Sequence, residues 1–89
     1  MAKVWKKGDP HCPKDAVYIG RGSKFGNPFP MRNHTQQERD RVCDKYINTN
    51  KHRSEFIAMV KRELRGKDLV CFCAPLRCHG DWLLEVANS

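Results

Sequence analysis

The sequence predicts a small single-domain α/β sandwich, with a short, mostly parallel sheet and about three helices. Residues 69–73 are apolar on both faces, which is typical of an interior strand covered on two sides. Apolar residues recur at helical spacing in three other stretches, and each stretch begins or ends on a capping signal. The 89 residues are enough for one domain, residues 1–89, with a thin core.

The first third of the chain predicts two short strands and a loop. Val4 and Trp5 open a strand that Gly8 and Pro10 soon interrupt, and residues 17–19 form a second β-prone run. Residues 20–28, here named the glycine loop, contain three glycines and end on a proline. Such a composition predicts positive φ angles and close approach of the backbone to another group.

Three helices are predicted from caps and apolar spacing. Thr35 and Glu38 have the form of a capping box, Ser54 is placed to cap a second helix after a polar break at 48–53, and Gly66 is placed to end it. The residues predicted to face the core are Val42, Cys43, Tyr46 and Ile47 in the first helix, Phe56, Ile57, Val60 and Leu64 in the second, and Trp82, Leu83, Val86 and Ala87 in the third.

The two apolar strands, residues 17–19 and 69–73, are predicted to be parallel neighbours joined by a right-handed crossover. Their carboxyl ends then meet at one edge of the sheet. The glycine loop follows the first strand, and the start of the last helix, residues 78–81, follows the second. Ligands of α/β folds bind at this edge, beside helix N-termini that carry partial positive charge. The sequence therefore predicts a site shared by the glycine loop and this helix start.

Two stretches resemble one known family. The sequence HCPKDAVYIGR at 11–21 with KFGNPF at 24–29 is similar to its front half, and CFCAP at 71–75 with CHGD at 78–81 is similar to its back half. The family is the domain of unknown function 4326, and the resemblance covers the chain from about His11 to Asn88. It implies a phage or bacterial protein but no particular reaction. A weaker similarity to Rossmann-like nucleotide-binding folds concerns the fold alone.

The glycine loop is predicted to hold an anion. Its backbone N–H groups could cradle a phosphate while an arginine adds positive charge. The glycine spacing matches neither a P-loop nor a dinucleotide fingerprint, so a purely structural turn is the alternative. The residues predicted to bind the ligand are Gly20, Arg21, Gly22, Ser23, Asn27 and Arg41.

Three of the five cysteines lie within residues 71–79, and three interpretations of them stay open. Cys73, Cys78 and His79 could bind zinc together with Cys12, although the spacing is not that of paired zinc knuckles. A reactive Cys78, favoured as thiolate by the helix N-terminus, is the second interpretation. Packing of the thiols in the core and in the turn is the third.

Cys78, His79 and Asp81 are predicted as the catalytic group, if the protein catalyses a reaction. In this hypothesis the carboxylate of Asp81 orients the imidazole of His79. An aspartate in the first turn of a helix is also an ordinary cap, so the structural interpretation stays open.

Charge and composition limit the partners. The net charge of +7 favours anionic ligands, and Arg39, Arg41 and Arg53 could line an anionic cleft, although most basic residues alternate with apolar helix faces. An odd number of cysteines argues against a disulfide framework. We therefore expect reduced thiols and a cytoplasmic location, which is the host cytoplasm if a phage encodes the protein. No apolar run approaches the ~20 residues of a membrane span, so no membrane contact is expected.

The function predicted from the sequence is binding of a small phosphorylated or nucleotide-like ligand between the glycine loop and residues 78–81. The alternative is a non-enzymatic module that binds nucleic acid or a host protein, with a structural zinc. Dispersed lysines and arginines predict only weak, non-specific contact with nucleic acid.

Overall fold

A computed structural model describes residues 2–72 and 76–89 of the chain. The elements are β1 (Val4–Lys6), β2 (Val17–Tyr18), α1 (Gln36–Asn50), α2 (Ser54–Leu64), β3 (Leu69–Cys71) and α3 (His79–Ala87). The predicted small α/β fold, with three helices and a short parallel sheet, is confirmed. Cys73, which was predicted to lie in the last strand and was one of the residues that could bind zinc, lies outside the described residues.

The sheet has the strand order β1-β3-β2, and both strand pairs are parallel. Val17 pairs with Leu69 and Tyr18 with Val70, so the predicted pairing of the two apolar strands is confirmed. β3 is central, but its outer end is less enclosed than its apolar sequence predicted. Leu69 and Cys71 are buried, whereas Phe72, which directly follows the strand, is 62% exposed. The chain therefore leaves the core after Cys71, at the carboxyl edge of the sheet.

The helix boundaries follow the predicted caps with two corrections. Thr35 is the N-cap of α1 and accepts a hydrogen bond from the backbone N–H of Glu38, as predicted. The predicted capping box is not completed, because the Glu38 carboxylate accepts from Arg32 and Arg41 instead of from Thr35. α1 runs to Asn50, three residues into the polar break predicted at 48–53, because the buried Asn50 side chain donates to the Tyr46 carbonyl and accepts from Arg53. The N-cap of α2 is Arg53 rather than Ser54.

The core forms between the helices and the sheet. Leu83 and Ala87 of α3 are fully buried, while the neighbouring Trp82 and Val86 pack against the core and stay partly exposed. The buried cluster consists of Ile19, Phe25, Tyr46, Phe56, Val60, Leu64, Leu69, Cys71, Cys78, Leu83 and Ala87. No helix among the described residues is long and apolar enough to cross a membrane.

Tyr46 connects α1 to the glycine loop and to both other helices. Its hydroxyl donates to the carbonyl of Phe25 in the glycine loop at 2.8 Å. Its ring lies 6.2 Å from the ring of Phe56 on α2, and 4.8 Å and 5.9 Å from those of His79 and Trp82 on α3. Burial raises the pKa of the Tyr46 phenol, so the hydroxyl keeps its proton and remains a donor to the loop.

Candidate functional site

The glycine loop and the start of α3 meet at the carboxyl edge of the sheet. Nε2 of His79 lies 2.7 Å from the carbonyl oxygen of Ile19, the residue before the loop. Gly80 packs against the same residue so closely that a Cβ there would lie 2.6 Å from Ile19 Cδ1 and 3.0 Å from Val4 Cγ2. The proximity predicted from the sequence is therefore confirmed, and glycine at position 80 permits it.

The glycine loop is held by its own polar groups. Ser23 donates to the Gly20 carbonyl from both its hydroxyl, at 2.7 Å, and its backbone N–H, at 3.1 Å. The Asn27 amide donates to the Val42 carbonyl, and its oxygen accepts from the backbone N–H of Phe29. Ser23 and Asn27, both predicted to bind a ligand, thus use these polar atoms to fix the shape of the loop.

Residues 78–81 form a capping box. Cys78 is the N-cap of α3, and its Sγ accepts from the backbone N–H of Gly80 at 3.3 Å. The Asp81 carboxylate accepts from the backbone N–H of Cys78 at 3.3 Å. Two N–H groups of the first turn are therefore satisfied reciprocally. The carboxylate of Asp81 has the capping role that the sequence left open, and no hydrogen bond to His79 is found for it within the described ranges.

His79 is a buried structural contact between α3 and the glycine loop. Burial lowers the pKa of its imidazole, while the carbonyls of Ile19 and Phe25 and the charge of Asp81 oppose that shift. The neutral ring then carries its proton on Nε2, as assigned from the hydrogen bond to Ile19. His79 thus fixes the position of the loop relative to α3.

The buried imidazole predicts acid sensitivity. The pKa of His79 is lower in the folded protein than its unfolded value near 6.5, so its contribution to stability is complete above pH 6.5 and is lost as the pH falls toward the folded pKa. We expect the free energy of unfolding, from urea titrations between about pH 7.5 and 5, to decrease with falling pH. Glu38, whose pKa is lowered to about 2 by its hydrogen bonds to Arg41 and Arg32, titrates below this window.

The matched control for the pH experiment is another histidine. His79→Gln should flatten the decrease below pH 6.5, whereas His34→Gln, at an exposed position before α1, should leave it unchanged. A wild-type stability that stays constant across the same pH range would contradict the assignment of a neutral, buried His79.

A cavity of about 170 Å³ opens where the loop, the end of β3 and the start of α3 meet. Its wall is mainly apolar, and three arginines reach it from the surface. The residues that line it are Gly20, Arg21, Asn27, Phe29, Met31, Arg39, Val42, Cys43, Cys71, Phe72, Arg77, Cys78 and His79. It therefore combines predicted site residues of both motifs with residues that were not predicted to bind a ligand, among them Phe29 and Met31.

The three arginines of the cavity differ in how much of their charge is compensated. Arg77 donates to Asp40 and Asp44, both at 3.0 Å, and the hydrogen bond from Arg77 lowers the pKa of Asp40. Arg39 donates to a carbonyl, that of His34, at 2.9 Å. For Arg21 and Arg39 no ion pair to a carboxylate is found in the described part of the chain. These two guanidinium groups thus remain available for an anion.

Arg41, predicted as a ligand-binding residue, lies outside this cavity. Its guanidinium donates twice to Glu38, at 2.6 Å and 3.0 Å, and once to the carbonyl of Pro30 at 3.1 Å. It lines a separate depression together with Glu38 and neighbouring residues of the α1 start. Its charge is therefore used to anchor the segment that leads into α1.

Two cysteine sulfurs face each other in the cavity wall. Sγ of Cys71 lies 3.0 Å from Sγ of Cys78, and both residues are buried. The apolar strand pattern predicted a packing role for Cys71, yet its sulfur also lies beside that of Cys78, seven residues further along the chain. Residues 2–72 and 76–89 contain no group of three or more His, Cys, Asp or Glu side chains placed to bind a metal. Cys12 instead lies beside the carbonyl of Pro13.

These features define a small α/β protein with a largely apolar cavity at the carboxyl edge of a three-stranded parallel sheet. The sequence model of the family described as domain of unknown function (DUF4326) matches residues 3–89, and the chain belongs to this family. No curated protein and no solved structure matches the sequence significantly.

Proposed function

We propose that this protein binds a nucleotide-like ligand, with a planar ring in the cavity and a phosphate at Arg21 and Arg39. The observation that carries the proposal is an apolar cavity at the carboxyl edge of a parallel sheet, beside two arginines that form no ion pair within the described ranges. Ligand sites of α/β proteins combine this location with apolar walls and a few polar groups. Arginine guanidinium groups recognise phosphate oxygens by charge-assisted hydrogen bonds.

The size of the cavity supports a ring with a charged substituent. A cavity of about 150 Å³ admits benzene, so the 170 Å³ here suit one ring system. A sugar and a phosphate would have to stay outside, where Arg21 is exposed and Arg39 is half-buried. Phe72, which lines the cavity and is 62% exposed, presents an aromatic face on which a base could stack.

The proposal is one of binding, and any catalysis would be centred on Cys78. His79 and Asp81, the other two residues predicted as catalytic, are used in the contact with Ile19 and in the cap of α3. Cys78 lines the cavity and lies at the N-terminus of a helix, where the thiolate form of a cysteine is favoured.

The test is a calorimetric titration of the purified protein with nucleoside monophosphates, the corresponding nucleosides and inorganic phosphate. We expect a nucleotide to bind more tightly than either of its parts. Arg21→Ala and Arg39→Ala should each weaken nucleotide binding about tenfold, because a hydrogen bond to a charged group contributes about 1.5–3 kcal/mol. The nucleoside should be affected less, since it lacks the phosphate.

Arg62→Ala provides the matched control, because Arg62 is 71% exposed on α2 and does not line the cavity. It removes the same charge and should leave the affinity unchanged. Equal weakening by all three substitutions would indicate general attraction to the basic surface. Tighter binding of single-stranded oligonucleotides than of any mononucleotide would favour the nucleic-acid alternative.

A further inference from the structure

We propose that Cys71 and Cys78 are a redox-active pair that forms a reversible disulfide when a hydroperoxide enters the cavity. Their sulfurs are 3.0 Å apart and both residues line the cavity, so an oxidant that reaches one sulfur also reaches the other. Because a disulfide bond is about 2.05 Å long, the two atoms need to approach by about 1 Å.

The backbone already holds both cysteines in place for this bond. The carbonyl of Cys71 accepts from the backbone N–H of Lys7 at 2.9 Å, which fixes the end of β3. Cys78 is fixed by the capping box with Asp81. A bond between the sulfurs would tie the central strand directly to the start of α3.

The two cysteines differ in the role that their surroundings favour. The backbone N–H of Gly80 donates to Sγ of Cys78, and the positive end of the α3 dipole lies at the same atom. Both interactions stabilise a thiolate, so Cys78 is the attacking sulfur. Cys71, whose sulfur lies 3.0 Å from that of Cys78, is then the resolving thiol.

With a hydroperoxide the reaction balances in two steps. The Cys78 thiolate attacks one peroxide oxygen, an S–O bond forms, the O–O bond breaks, and the departing oxygen takes up a proton to leave as water or alcohol. The Cys71 sulfur then attacks Sγ of Cys78, the S–S bond forms, and the hydroxyl leaves as water with the proton of Cys71. In sum, two thiols are oxidised to a disulfide and one peroxide is reduced.

The test treats the reduced full-length protein with one equivalent of hydrogen peroxide, followed by acid quenching and alkylation. We expect the mass of the unalkylated pair to fall by about 2 Da and to return after reduction with a dithiol. Digestion with trypsin and chymotrypsin cleaves after Phe72 and Arg77 and so separates Cys71, Cys73 and Cys78 into different peptides. The cross-linked peptide should contain Cys71 and Cys78.

The cysteine variants and the position of the cross-link in the wild-type protein together decide whether the proposal holds. Cys71→Ser and Cys78→Ser should each abolish the cross-link, whereas Cys12→Ser, at a position that does not line the cavity, should retain it. The mapping in the wild-type protein does not depend on the folding of any variant. A dominant cross-link that includes Cys12, Cys43 or Cys73, or oxygen addition without a cross-link, would overturn the proposal.

A second readout rests on the proposed function, because a ring in the cavity would cover both sulfurs. Saturating nucleoside monophosphate should then slow the cross-linking at least fivefold. If the cross-link forms but no nucleotide slows it, the redox pair stands and the proposed nucleotide site fails. The two proposals are thus separable in one experiment.

Discussion

Replacement of Tyr46 with alanine should destabilise the protein so strongly that a large fraction of the chain unfolds. The side chain is 2% exposed and its ring contacts two helices, while its hydroxyl reaches the loop residue Phe25. Truncation of a buried aromatic residue costs about 3–5 kcal/mol. A domain of this size has a total stability near the low end of about 5–15 kcal/mol, so little would remain.

Tyr46→Phe separates the contribution of the hydroxyl from that of the ring, and Tyr18→Phe is its control. Tyr46→Phe keeps the ring contacts and leaves the Phe25 carbonyl without its donor, which costs about 1–3 kcal/mol. Tyr18→Phe removes a hydroxyl that donates to the Arg21 carbonyl in an exposed position, and a loss below about 0.5 kcal/mol is expected there. Urea titrations followed by circular dichroism give all three values. A Tyr46→Ala loss no larger than that of Tyr46→Phe would contradict the central position of the ring.

The parts of the fold that could be predicted from the sequence are those with local signals. The pairing of β2 with β3 followed from two short apolar runs. Thr35 and Glu38 marked the start of α1 because a threonine side chain can cap a helix, and Gly66 marked the end of α2 because glycine adopts a positive φ. Gly66 indeed has a φ of +74°. The end of α1 carried no such signal, because Asn50 is held in the helix by a bond to the Tyr46 carbonyl and by a second bond that depends on the position of Arg53.

The helix start at Cys78 shows why a motif was difficult to interpret. Serine, threonine, aspartate and asparagine are the usual N-cap residues. A cysteine followed by a histidine was therefore interpreted first as a catalytic group and only second as a helix cap. In the structure the sulfur accepts from Gly80 and the carboxylate of Asp81 completes the box. The same short motif therefore fits two interpretations until its hydrogen-bond partners are known.

The lining of the cavity could be predicted only in part, for two physical reasons. Phe29 and Met31 lie in a segment without helical or strand periodicity, so no pattern indicated which way they face. Arg39 and Arg41 are two residues apart on a helix and therefore point to different faces. Packing decides which face meets the cavity: Arg39 lines it, whereas Arg41 pairs with Glu38.

Substitution of Gly26 with alanine should open the glycine loop and thereby lower both stability and ligand binding. A Cβ at this position would lie 2.6 Å from the carbonyl oxygen of Gly20 and 3.1 Å from that of Ser23. Both neighbours are backbone atoms of the loop itself, so no side chain can rotate to make room. The strain of overpacking is about 1–3 kcal/mol, and here we expect the upper part of that range.

The loss of binding follows from the position of the strained residue. Gly26 is followed by Asn27, which lines the cavity, and Phe25 before it accepts the hydrogen bond from Tyr46. If the backbone of Gly26 moves away from Gly20, both neighbours move with it and the cavity changes shape. The affinity for a nucleoside monophosphate should fall at least tenfold if the proposed function holds.

Gly8→Ala is the matched control, because it adds the same methyl group at a site outside the loop. Gly8 has a φ of +94°, and a Cβ added there would have no atom within 4 Å. Only the left-handed backbone conformation is therefore penalised, by about 1–2 kcal/mol. Its nucleotide affinity should equal that of the wild type. A Gly26→Ala protein as stable as wild type would show that the loop can accept a side chain; a destabilised one with unchanged affinity would place the ligand outside this cavity.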